Sequence, residues 1–198
     1  MSIVTLTSGG IDSTLMSLIA HEDGIIIAPL FLDYGQLGMV REWAACRFLH
    51  KKYGLPKVTR MDLSGYGKVV PSGITNIAMR INEDAFLPGR NLLFLLCGAA
   101  YAYRINADGV AIGLLTPEYH LFPDHTLEFL RMAEDTIETA MGRHLAVLTP
   151  LIEFTKSDIL SMAAARGLHD TYSCHAGGPE PCGKCVACIE IAKAKERS

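Results

Sequence analysis

Apolar positions along this chain switch repeatedly between strand and helix periods. Ile3-Val4-Thr5-Leu6-Thr7 is a short β-branched run that stops at Ser8-Gly9-Gly10, after which Leu15, Met16, Leu18 and Ile19 recur at helical spacing. This predicts a strand, a glycine turn and a helix. A second apolar run, Ile25 to Leu32, ends at Asp33-Tyr34-Gly35. Leu37, Val40, Ala44 and Phe48 then mark one face of a helix that ends near Gly54-Leu55-Pro56. Val58 to Leu63 supplies a third strand. From Ser64 to Gly89, glycine and proline break any periodicity, which predicts a long loop or flap of the kind that serves a site.

After Pro88-Gly89 the segment Asn91 to Arg104 is almost wholly apolar, so the helix it predicts lies against the sheet or at a subunit contact, and a homodimer is expected. Ala107 to Gly113 is the next strand. Between Thr126 and Met141, Leu127, Leu130, Ala133, Ile137 and Ala140 fall on one side of a helix, with Glu128, Arg131, Glu134 and Glu138 opposite. Leu145 to Leu151 gives a further strand. Thr155 and Asp158 have the spacing of a capping box, opening a helix that stops at Gly167. Strands alternating with helices imply right-handed crossovers and a doubly wound, mainly parallel α/β fold. We assign it residues 1–170, with 171–198 as a small C-terminal subdomain.

Composition narrows the class. The 198 residues carry 18 basic and 21 acidic side chains, and 49% are hydrophobic, which excludes a disordered chain and a basic nucleic-acid coat. No cationic segment precedes Asp12, and the longest strongly apolar stretch, Leu92 to Tyr103, is too short to span a bilayer. A cytoplasmic protein with neither a membrane nor a nucleic-acid partner is expected.

Of the six cysteines, Cys46 and Cys97 stand alone, whereas Cys174, Cys182, Cys185 and Cys188 crowd together in a Cys-x7-Cys-x2-Cys-x2-Cys spacing. In a reducing compartment such a cluster points to a metal before disulfides. Four thiolates suit a closed tetrahedral Zn²⁺ site with a structural role, and an iron–sulfur cluster is the chemical alternative. The following helix, Val186 to Arg197, mixes Lys193, Lys195 and Arg197 with Glu190 and Glu196 and reads as a solvated face.

The first strand gives way to Ser8-Gly9-Gly10-Ile11-Asp12-Ser13-Thr14. At that position in a doubly wound sheet, adjacent glycines and a helix N-terminus form a phosphate site. The loop has neither the Gly-Lys-Ser/Thr ending of a Walker A motif nor the spacing of a dinucleotide fingerprint. The alternative is a glycine turn with Asp12 or Ser13 as a plain helix cap.

The same string resembles the SGGxDS pyrophosphate loop of the ATP pyrophosphatase superfamily, which implies an adenine nucleotide alpha hydrolase-like fold. Together with Asp33-Tyr34-Gly35-Gln36, Pro88-Gly89-Arg90-Asn91, Pro123-Asp124, Lys156, Thr171-Tyr172-Ser173-Cys174 and the cysteine cluster, the chain resembles the 7-cyano-7-deazaguanine synthase family. That resemblance implies conversion of 7-carboxy-7-deazaguanine and ammonia into the nitrile preQ0, driven by ATP with Mg²⁺, in queuosine biosynthesis. It implies that Ser8, Gly9, Gly10, Asp12, Ser13 and Thr14 hold the triphosphate, that Asp12, Arg90 and Lys156 serve catalysis, and that Asp33 contacts nucleotide or metal. It also implies that His120, Phe122 and Asp124 meet the base, unless Asp124 merely caps the helix that follows.

The chain departs from the family where a Ser-Gly-Tyr-Pro-Asp-Cys-like segment is usual and His120-Leu121-Phe122-Pro123-Asp124-His125 stands instead. His120 and His125 are candidate base contacts, an acid/base pair, or simple surface groups. His175 stands where an aromatic residue is common.

Overall fold

The computed structural model describes residues 1–119 and 121–196. His120 and Arg197 therefore lie outside the described residues. A five-stranded, wholly parallel sheet has the order β3-β2-β1-β4-β5, formed by β1 (Ser2–Leu6), β2 (Ile26–Asp33), β3 (Thr59–Asp62), β4 (Gly109–Ala111) and β5 (Ala146–Leu148). The order reverses between β1 and β4, and a crevice opens beyond the carboxyl ends of strands at such a reversal.

The period-two pattern of β1 divides its side chains between the faces. Ile3 enters a core with Leu15 and Met16 of α1 (Ile11–Glu22), Leu49 of α2 (Met39–Lys52) and Ile159 of α6 (Lys156–Ala165). Val4 and Leu6 enter the opposite core with Leu95 and Ala99 of α4 (Arg90–Arg104) and with Leu130 and Ile137 of α5 (Leu127–Met141). Helices on both faces leave the parallel strands fully covered. Gly98 lets α4 lie close to the sheet, since a β-carbon there would come 2.5 Å from Val110 Cγ2. The inner side of α4 is buried as its composition predicts, while Leu92, Leu96 and Tyr103 remain exposed on its outer side.

Two expectations need correction. The stripe drawn for α2 is rotated: Val40 and Phe48 are exposed, whereas Glu42, Cys46, Leu49 and His50 are buried. Hydrophobicity misleads here because the inward face of α2 covers the glycine loop and the polar end of the sheet, where Glu42 and His50 find hydrogen-bond partners. The second concerns the span from Ser64 to Gly89, which is not featureless. It opens with the short α3 (Ser64–Val69), and Ile74, Ala85 and Leu87 pack with Tyr34 into a small core of their own.

The predicted punctuation is otherwise present. Thr155 and Asp158 form the reciprocal capping box of α6, and Gly167 takes a left-handed φ of +62° just past its end. The last helix, α7 (Val186–Glu196), packs on α6. Among the described residues no helix is long and apolar enough to cross a membrane.

Candidate active site

The glycine loop lies at the predicted crossover. Gly9 holds φ at +79°, and a β-carbon on it would come within 2.6 Å of both Glu42 O and Cys46 N. The loop can therefore press against the backbone of α2 only because this residue has no side chain. Gly10 is the N-cap of α1, and no side chain caps the helix. Neither Asp12 nor Ser13 is therefore the plain cap considered above, and no side chain takes up the first-turn N–H groups. Ser13 Oγ instead accepts from Ser8 N–H at 3.0 Å and lies 3.0 Å from Ser8 Oγ, while Ser8 Oγ accepts from Gly10 N–H at 3.2 Å. Thr14 is buried and donates its hydroxyl to Gly10 O at 2.8 Å, holding the loop from behind.

Ser8, Gly10, Asp12 and Ser13 line a cleft whose front lobe is about 250 Å³. A second lobe of about 170 Å³ adjoins it and shares Asp12, Arg90, Ser173, His175 and Ala187. Lys156 is buried at the floor, its Nζ donating to Asp12 Oδ1 at 2.8 Å and Oδ2 at 2.7 Å. Glu190 Oε2 approaches the same Nζ at 3.7 Å. Glu190 thus belongs to the cleft rather than to a solvated face, and burial raises its carboxyl above the ordinary range, with Lys156 opposing. Arg90 opens α4, lies over the Phe94 ring at 5.8 Å and lines both lobes.

The other predicted residues fall into distinct places. Phe122 lines the inner lobe beside His125, their ring centroids 5.3 Å apart, and faces Phe86 at 5.2 Å. Asp124 is buried, and its Oδ2 accepts from Asn91 N–H at 3.2 Å while its carbonyl accepts from Asn91 Nδ2 at 3.0 Å. It caps α4 from a distant segment. The helix following it, α5, is capped instead by Thr126, which accepts from Phe129 N–H. Asp33 is also buried: Oδ1 accepts from Gly35 N–H at 3.1 Å and Oδ2 pairs with Arg60 at 2.5 Å.

The four cysteines at 174, 182, 185 and 188 place their sulfurs within 4.8 Å of one another, with Cys182 and Cys188 at 4.0 Å. Zn–S bonds of about 2.3 Å in a tetrahedron set sulfurs about 3.8 Å apart, so the donor set fits one ion. Burial opposes a thiolate at Cys182, but N–H donors from Lys184 and Cys185 bring its pKa down to about 7. The cluster is joined to the glycine loop, because Tyr172 N–H donates to Gly9 O at 2.9 Å. Ser173 and His175, the neighbours of Cys174, face the cleft.

Sequence reasoning missed Glu42 and Tyr34, which complete the front lobe. Glu42 accepts from Gln36 Nε2 at 3.0 Å, and burial pushes its carboxyl up to about 7 despite that bond. The available signal was the i, i+4 spacing of Glu42 and Cys46 on one helix face, obscured by the apolar residues on the other side of the helix.

Comparison with known proteins bears on the family and the fold. The family described as queuosine biosynthesis protein QueC matches residues 2–197. A 7-cyano-7-deazaguanine synthase of Desulfitobacterium hafniense is 32% identical over 200 residues, covering 93% of this chain and 84% of that protein. A solved NMN synthetase from Francisella tularensis aligns over 100% of this chain and 84% of its own, with TM-score 0.56 and 14% identity. An NH3-dependent NAD synthetase from Campylobacter jejuni aligns over 85% of this chain and 65% of its own, with TM-score 0.55 and 16% identity. These two likenesses concern the fold alone.

Proposed function

The chain belongs to the QueC family, and from that premise we propose that it converts 7-carboxy-7-deazaguanine and ammonia into 7-cyano-7-deazaguanine at the expense of ATP. The observation that carries this reading is the uncapped N-terminus of α1 beside the Lys156–Asp12 pair, at the point where the sheet order reverses. Unpaired N–H groups and a positive helix end favour a polyphosphate.

A carboxylate resists amines because its oxygen is a poor leaving group. In the first half-reaction a carboxylate oxygen attacks the α-phosphorus of ATP and pyrophosphate leaves. Ammonia then adds to the acyl carbon, and AMP and a proton depart to give the amide. In the second half the amide oxygen attacks the α-phosphorus of another ATP, pyrophosphate leaves, and the nitrile forms as the amide nitrogen gives up both its protons and AMP departs. The same phosphate site serves both halves, which accounts for a single glycine loop.

In this scheme Ser8, Gly9, Gly10, Ser13 and Thr14 hold or shape the phosphate site. Asp12 would orient Lys156 toward the phosphates through both carboxylate oxygens, and Mg²⁺ brought with ATP would supply charge neutralisation there. Lys156 and Arg90 stabilise negative charge that develops at phosphorus. Phe122 supplies an aromatic wall for the base. Asp124 and Asp33 act by holding α4 and the end of β2 in place, since both carboxylates are already engaged. His120 remains a proposed base contact on sequence grounds.

The cysteine cluster would hold Zn²⁺ through Cys174, Cys182, Cys185 and Cys188. Close sulfur spacing favours a single ion over a multi-iron cluster, whose thiolates must spread around several metals. A closed four-thiolate shell leaves no position for water, so the metal's contribution is to fix the segment that carries Tyr172, Ser173 and His175.

The test is incubation of the chain with ATP, Mg²⁺, ammonium and 7-carboxy-7-deazaguanine, with AMP, pyrophosphate and nitrile scored by mass. All three products are expected. Pyrophosphate with another acid but not this one would replace the substrate, and ATP binding without AMP under any condition would overturn the enzymatic reading.

A further inference from the structure

We infer that His175 is a ligand-contacting residue, whose imidazole hydrogen-bonds the bound substrate where the front lobe meets the inner lobe. The inference rests on the function proposed above and assigns a role to a side chain that the scheme leaves unused.

The ring lines both lobes and shares that junction with Asp12, Arg90 and Ser173. A group there faces the reacting bond when a nucleotide occupies one lobe and an acid the other. Nδ1 of His175 is closed to solvent and has no hydrogen-bond partner in the protein. A buried polar atom without a partner is uncommon in folded proteins and is often completed by a ligand or an ordered water. The ring that carries this nitrogen lines a cleft shared with Arg90, Asp12 and Ser173, all chemistry-bearing groups, rather than an apolar core.

The main chain explains why the ring is held in place. His175 follows the ligand Cys174, and its own N–H donates toward the Cys185 sulfur. Its backbone is therefore fixed by the cysteine cluster while its side chain projects to the junction. A residue needed only to fill that space could be any aromatic ring; an imidazole adds a donor and an acceptor at the same volume.

The experiment combines spectroscopy of the metal-loaded chain with three variants. In a histidine-ring ¹⁵N–¹H spectrum, the signal lost in His175→Phe identifies this ring, and adding ATP with Mg²⁺ and 7-carboxy-7-deazaguanine should shift it. His175→Phe should keep its metal and its melting temperature, leave the KM for ATP unchanged, and lower the rate of pyrophosphate release roughly 10- to 100-fold, the range for losing one hydrogen bond to a charged group. His175→Asn, which places a polar atom near Nδ1, or His175→Gln, which places one near Nε2, should recover part of that loss.

A Phe variant as active as the parent overturns the inference, as does a Phe variant that loses its metal, because the role would then be structural. An unmoved ring signal on ligand addition also overturns it. If the parent releases no pyrophosphate with this acid, the proposed function falls separately, and a ring signal that shifts with bound nucleotide still supports the contact.

Discussion

Lys156 sets its Nζ 2.7 Å from Oδ2 of Asp12 and 2.8 Å from Oδ1, although the two residues open different helices far apart in sequence. The lysine is buried, so the pair lies where Coulombic attraction is strong and a lone charge is costly. With Glu190 at 3.7 Å, two carboxylates face one ammonium at the floor of the cleft.

Replacing Lys156 by Met should therefore abolish AMP formation while the chain stays folded. A loss of at least about 100-fold in pyrophosphate release is expected from removing a positioned cation beside developing charge, with the circular-dichroism spectrum retained. Asp12→Ala should be equally inactive and less stable by about 3 kcal/mol or more, because it strips Lys156 of its closest partner; chemical denaturation measures this.

Gly9→Ala tests the loop itself. The left-handed φ and the 2.6 Å approach to Glu42 O and Cys46 N leave no room for a methyl group. A cost of at least about 2 kcal/mol is expected, together with loss of ATP binding by calorimetry. An alanine variant that binds ATP normally would contradict the loop geometry.

Glu42 makes stability depend on pH in a stated direction. Its folded-state pKa of about 7 lies above the ordinary 4.5, so between those values the folded chain keeps a proton that the unfolded chain has released. This contribution falls as pH rises through that window. Glu42→Gln should remove the slope, raising stability at pH 8 by about 1–3 kcal/mol while leaving little difference near pH 4.5. Urea titrations at the two pH values would show the difference opening as pH rises.

The role of Asp124 is separable by two substitutions. As an acceptor for Asn91 N–H, it should tolerate Asp124→Asn with little change, whereas Asp124→Ala should cost about 1 kcal/mol. If the carboxylate contacts the base instead, the Asn variant would raise the KM for the acid without altering the melting temperature.

Cys185 is wholly buried among the four sulfurs. Cys185→Ser should reduce bound zinc to near zero by elemental analysis and lower the melting temperature, because metal affinity contributes directly to folding. Because Tyr172 is bonded to Gly9, ATP affinity should weaken in the same variant.

Pattern along the chain was enough to read the alternation of strands and helices, the parallel sheet, the glycine loop at the first crossover, the capping box at Thr155 and the spacing of the four clustered cysteines. Each is a local matter: side-chain period, turn chemistry and short-range spacing are properties of neighbouring residues. Packing between distant segments settled that α2 turns Glu42 and His50 inward, that Glu190 meets Lys156 rather than solvent, and that Asp124 caps α4 instead of α5. Those outcomes depend on what a distant segment presents to a polar group. A one-dimensional pattern records how hydrophobic a residue is, but not whether a hydrogen-bond partner from another segment waits where that residue is buried.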